Sequence, residues 1–136
     1  MRTDSGVGKS AEDYLEAMLF LKEKNGQIRS IDIAEHLSVT KPSVSNAMKR
    51  LREEGLVETD RSGHIVMTDK GAAIAGKIYL RHKTLTEFFI TLGVDPEIAE
   101  KDACRIEHDI SDETFNALRA HIKPGELHDT GIKADR

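Results

Sequence analysis

Three features of the sequence predict a mainly α-helical fold interrupted by one small hairpin. Apolar residues recur at three- and four-residue spacing through most of the chain, helix-start residues stand at intervals along it, and one pair of short β-prone runs flanks a glycine turn. With 136 residues, 38% hydrophobic and 32% charged, the chain suits one compact unit or two small modules.

The elements follow in order. Ser10 and Asp13 form an S-x-x-D signature that places the first helix start at Ser10; Tyr14, Met18 and Leu21 continue it, and Asn25-Gly26 ends it. A short second helix follows Ser30, with Ile33, Ala34 and Leu37 on one face. A third follows Thr40, with Val44, Met48 and Leu51 at i, i+4 and i+7, and Gly55 closes it. LVET and HIVM read as strands flanking D-R-S-G, a turn that needs the permissive Gly63. Thr68 caps a fourth helix that runs through Ala72, Ala75 and Ile78 to His82 and Leu92, where Gly93 breaks it. Asp95-Pro96 starts the fifth, with proline at the first helical position, where its missing N–H costs nothing. Ser111-Asp112-Glu113 opens the sixth, which carries Phe115, Leu118 and Ile122. Pro124 and Gly125 then stop the pattern, leaving a loose polar tail over 123–136.

Two short helices joined by Ser38-Val39-Thr40 and followed by a hairpin have the arrangement of a winged helix-turn-helix, a DNA-reading module. It gives a domain over 1–70, followed by a helical domain over 71–122. On the third helix, steps of about 100° per residue put Val44, Met48 and Leu51 on one side and Pro42, Ser45, Asn46 and Lys49 on the other. Ser45 and Asn46 can reach base edges, asparagine preferring adenine, while Lys41, Lys49, Arg50, Arg52 and Arg61 can meet phosphates; Ser43 is counted with them among the DNA-binding residues. Glu53, Glu54, Glu58 and Asp60 dilute that footprint, so tight binding calls for a dimer on a two-fold site.

The net charge of −4 opposes nucleic-acid binding only on average. Residues 1–81 hold 13 Lys/Arg against 12 Asp/Glu, whereas 82–136 hold 7 against 12, so acidity, which attracts cations, gathers in the second half. No apolar run approaches the roughly 20 residues of a membrane span. MRTDSGVGKS lacks the apolar core of a secretory signal, and a cytoplasmic protein is expected. A single cysteine, Cys104, excludes an intramolecular disulfide framework.

A-C-R-I-E-H, residues 103–108, is the sharpest local motif. On a helix, Cys104, Glu107 and His108 project to one side and offer a thiolate, a carboxylate and an imidazole. The apolar stripe Ala99, Ala103, Ile106 and Ile110 lies about a third of a turn away. Asp13, Glu16 and His82 could complete an octahedral sphere. Each also has a plainer reading, as a capping residue, a solvated carboxylate and a partly buried histidine respectively.

S-A-E-D-Y-L-E near the start, K-P-S-V-S-N-A-M-K-R-L in the third helix, R-H at 81–82 and A-C-R-I-E-H-D-I-S-D-E resemble the diphtheria-toxin-repressor family of iron- and manganese-dependent repressors over about residues 8–122. The likeness is to the short manganese-type members, which lack an SH3-like domain. It implies metal ligands at Asp13, Glu16, His82, Cys104, Glu107 and His108, with Mn(II) or Fe(II) as the metal and Co(II), Ni(II) or Zn(II) as substitutes in vitro. It also implies a metal-binding and dimerisation role for the helical domain, and a homodimer that binds operator DNA when loaded and controls metal homeostasis genes. Metal would then stitch the first helix to the fourth and fifth and narrow the separations of the two reading heads.

Asp13 and Glu16 match the manganese-type pattern, whereas Cys104 matches the iron-type pattern. Thr86 and Glu100 stand near places where an ancillary iron-type site would need Glu and His, so one principal metal per chain is expected. Two other readings stay open: a winged-helix regulator sensing an oxidant or other effector at Cys104, and a protein-binding winged helix. An enzyme is not expected, because six candidate ligands leave little room for substrate or water and no general base stands apart from them.

Overall fold

The computed structural model describes residues 6–122. The elements are α1 (Lys9–Asn25), α2 (Ser30–Leu37), α3 (Lys41–Glu53), β1 (Val57–Thr59), β2 (Ile65–Met67), α4 (Asp69–Thr91), α5 (Pro96–Ile106) and α6 (Asp112–His121). This is the order expected from sequence. The chain divides after Lys77, within α4, into two compact units. The tail expected over 123–136 lies outside the described residues. None of the described helices is long and apolar enough to cross a membrane.

The first unit is built around one apolar cluster. Leu15, Met18 and Leu21 of α1 meet Ile33 of α2 and Val44, Met48 and Leu51 of α3, all buried, and Leu56, Val57 and Ile65 seal it from the hairpin. α2 ends on Ser38, a left-handed residue (φ 57°) whose N–H bonds back to Ala34 and Glu35, and this turns the chain sharply into α3. Thr40 then caps α3, its hydroxyl accepting from the Ser43 N–H. β1 and β2 pair antiparallel with Val57 opposite Met67 and Thr59 opposite Ile65. Ile65 also bridges to Ile28, which fastens the hairpin to the segment before α2.

One expected boundary is corrected. α1 starts at Lys9 with Gly8 as its cap and no side-chain cap hydrogen bond, so Ser10 and Asp13 do not form a capping box. Val7, buried immediately before the cap, fixes where the chain enters the helix and carries Ser10 inside the first turn.

In the second unit, Leu85 of α4, Ala103 of α5 and Phe115 of α6 form a small core with Phe89, Ile110 and Leu118 packed on it. Asp95 caps α5 through the Glu97 N–H, and Ser111 caps α6 through the Thr114 N–H, as expected. Ala99 and Ala103 of the expected stripe are fully buried, but Ile106 is 37% exposed, because α5 ends there and the stripe runs off the packed face.

Two glycines of α4 make opposite predictions. A Cβ at Gly71 runs into the backbone carbonyl of Leu56, whereas one at Gly76 meets nothing within 4 Å. Gly71→Ala lowers stability by about 1–3 kcal/mol, and Gly76→Ala raises it by about 0.4–1 kcal/mol. Urea unfolding midpoints of the two variants check both signs.

Candidate functional site

Four of the six expected metal ligands belong to the second unit, and the structure brings them together. Glu107 is the centre. Its Oε1 lies 2.8 Å from Nδ1 of His82, which projects from α4, and its Oε2 lies 3.4 Å from Nε2 of His108. Cys104, one turn earlier on α5, places its sulfur 3.6 Å from the same His82 nitrogen. Donor atoms of His82, Cys104 and Glu107 all lie within 4.8 Å of one another. Ligands about 2.0–2.3 Å from a shared ion must stand within roughly 4.6 Å of each other, so the spacing fits a metal with little adjustment. The donor set of sulfur, nitrogen and oxygen suits a first-row transition ion.

Burial strengthens that reading. Glu107 has no solvent exposure and His108 is 3% exposed. A carboxylate removed from water needs a positive partner, either an imidazolium or a metal ion. Cys104, in contrast, is exposed, as expected of a residue off the apolar stripe.

The motif departs from the expected helix in one respect. α5 ends at Ile106; Glu107 is its C-cap and His108 lies in the turn beyond. Glu107 keeps helical dihedrals and its N–H still bonds to Ala103, so the i, i+3 relation to Cys104 survives. Asp13 and Glu16 lie in the first unit, three residues apart and half-buried on α1.

The expected reading helix presents one exposed face. Lys41, Pro42, Ser43, Ser45, Asn46 and Lys49 are all exposed, while Val44, Ala47, Met48 and Leu51 are buried. The Ser43 hydroxyl is engaged locally, accepting from the Thr40 hydroxyl at 2.9 Å. Arg61 stands exposed on the hairpin turn. That turn is organised by Asp60, whose Oδ1 accepts from the N–H groups of Ser62 and His64 at 2.9 Å each, while Gly63 adopts φ 86°. A cleft of about 940 Å³ opens between the start of α1 and α3, and Lys9, Ser10 and Asp13 line it with Asn46, Lys49 and Arg50.

Sequence reasoning missed Lys9 at this cleft, since periodicity within single elements carries no information on what two helices enclose. It also gave no role to Arg81, which is buried beside the metal-type cluster.

Residues 7–65 match the iron dependent repressor, N-terminal DNA binding domain, and residues 68–129 match the iron dependent repressor, metal binding and dimerisation domain. The chain belongs to the iron-dependent repressor family. It thus carries both parts of a metal-dependent transcriptional repressor, and the family resemblance and fold class expected from sequence hold. It is 37% identical over 119 residues to an HTH-type transcriptional regulator of Methanocaldococcus jannaschii, covering 86% of this chain and 95% of that one. It is also 37% identical over 108 residues to the transcriptional regulator MntR of Escherichia coli O157:H7, covering 79% of this chain and 70% of MntR.

Among solved structures, the manganese regulator SloR superposes with a TM-score of 0.71 at 30% identity, covering 88% of this chain and 54% of SloR. A manganese-dependent transcriptional repressor in complex with manganese gives 0.74 at 28% identity, covering 81% and 51%. This chain spans about half the length of those two solved chains.

The Asp60 turn yields a test of the hairpin as a DNA contact. Asp60→Ala removes two hydrogen bonds, lowers stability by about 1 kcal/mol and weakens DNA binding while metal affinity is unchanged. Thermal unfolding, gel-shift titration and metal titration on one preparation check the three parts.

Proposed function

We propose that this family member represses genes of metal homeostasis by binding double-stranded operator DNA as a homodimer when loaded with Mn(II) or Fe(II). The observation that carries the reading is the cluster of His82, Cys104 and Glu107, whose donor atoms converge beside buried His108 in a chain with a complete reading helix. The proposed ligands are Asp13, Glu16, His82, Cys104, Glu107 and His108. Asp13 and Glu16 enter the set on the sequence pattern. For Asp13, failure of the Ser10–Asp13 capping box supports this, since it removes the plainer account of that residue.

A bound divalent ion supplies positive charge to a group of carboxylates and a thiolate. The proposed set draws residues from both halves of the chain, so its occupancy narrows the separations that paired reading helices sample. Asn46 and Ser45 read base edges, Pro42 packs against them, and Lys41, Ser43, Lys49 and Arg61 hold phosphates on either side. Metal preference is set by two opposing tendencies. The Cys104 thiolate favours iron over manganese, and the carboxylates favour the harder ion. Ligation needs deprotonated side chains, so DNA binding at fixed metal falls as the medium is acidified.

The deciding experiment is an operator titration with Mn(II), Fe(II), Co(II), Ni(II) and Zn(II), with bound metal counted per chain. Binding that no metal enhances would sink the proposal. Measured at a temperature where far-UV circular dichroism shows each variant folded, Glu107→Ala or His108→Ala abolishes metal-dependent DNA binding; a retained metal response in both variants overturns the ligand set. Lys49→Ala weakens operator binding at unchanged metal affinity and reduces the salt slope of log K by about 1.

A further inference from the structure

Arg81 is 1% exposed, yet it carries a guanidinium, the most demanding side chain to bury. Its guanidinium hydrogen-bonds to the turn after α5 and to the first residue of α6. Nη1 donates to the carbonyl oxygens of Glu107 at 3.0 Å and Ile110 at 2.6 Å, and Nη2 donates to Oδ1 of Asp112 at 2.5 Å. The guanidinium carbon also stands 5.4 Å from the centre of the Phe115 ring. The neighbouring residue on α4 is His82, whose ring nitrogen meets the Glu107 carboxylate. Consecutive residues of one helix therefore hold Glu107 at both ends, Arg81 by its main chain and His82 by its side chain.

We propose that Arg81 is a positioning residue for the metal centre: it fixes the turn that presents Glu107 and His108 to the ion. The inference rests on the metal reading above and goes beyond it, because Arg81 offers no metal-binding atom. Glu107 is tied to α5 only as its C-cap, through its N–H bond to Ala103, and His108 lies in the turn beyond, so the helix alone does not fix the turn. A helix C-terminus leaves carbonyls without intrahelical partners, and a buried cation that donates hydrogen bonds to them locks the turn in place. Lysine can supply the charge but not the fork, since one ammonium cannot span two carbonyls and a carboxylate in the plane that Arg81 uses. The order of site integrity is thus Arg, then Lys, then Met. Asp112 belongs to the same clamp from the solvent side, its side chain 50% exposed, and its substitution loosens the grip without opening the core.

The test uses Co(II), whose bond to the Cys104 thiolate gives a near-ultraviolet charge-transfer band, on the full chain and on Arg81→Lys, Arg81→Met and Asp112→Asn. Each is measured at a temperature where circular dichroism shows it folded. Arg81→Met weakens Co(II) binding by about 10–100-fold, with Arg81→Lys and Asp112→Asn between it and the parent and the band altered in all three. A purely structural role lowers the melting temperature but leaves affinity and band alone. Folded Arg81→Lys and Asp112→Asn that bind Co(II) within about twofold of the parent, with the same band, overturn the inference while the metal reading stands. A parent chain that shows no Cys104-dependent band overturns the metal reading and this inference together.

Discussion

The burial of the Glu107 carboxylate is the constraint around which the second unit is organised. A charged group with no access to water is tolerated only where its surroundings answer the charge. Two imidazoles face its oxygens, from α4 and from the turn after α5, and a guanidinium holds its carbonyl. α4 and the turn after α5 are thereby tied to one residue, and among the described residues the apolar cluster beneath them has three buried side chains with three partly buried ones against it. In so small a core, polar contacts specify the arrangement that packing alone would leave loose.

The first unit solves a different problem, which is to display one polar helix face while burying the other. Its means are hydrophobic and local. Val44, Ala47, Met48 and Leu51 anchor α3 in the shared core, Thr40 caps it, and the left-handed Ser38 sets the angle at which it leaves α2. The hairpin is fastened to the segment before α2 through Ile65 and its turn is held by Asp60. A reading surface needs this stiffness, because base-edge hydrogen bonds are directional and lose their discrimination when the helix can rock.

What was legible in the sequence follows from the range of the interactions involved. Caps at Thr40, Asp95 and Ser111 and the turn at Gly63 act over two to four residues, and each was found where the residue types placed it. The start of α1 was not, because Ser10 and Asp13 carry the pattern of a box while a buried Val7 sets the helix one residue earlier. The gathering of donor-bearing side chains was legible as well, through the spacing of Cys104, Glu107 and His108. The end of α5 within that motif was not, since nothing between Arg105 and Asp109 is a helix breaker. Arg81 was the least accessible of all. Its partners lie 26 to 31 positions away, and a pattern of helical periodicity reads a buried arginine simply as a polar residue.

Burial also separates the proposed ligands by how readily each could vary. Glu107 and His108 are enclosed, and His82 is in hydrogen-bond contact with Glu107, so a change at any of them disturbs packing as well as donors. Cys104 is the exposed member of the six proposed ligands. A thiolate there can be exchanged for a carboxylate without leaving a cavity or an orphaned polar group in the core. On the proposed ligand set, the softness of the donors, and with it the balance between iron and manganese, is thus set at a position that the fold does not constrain. A chain with manganese-type residues on its first helix and an iron-type residue at 104 is what such independence allows.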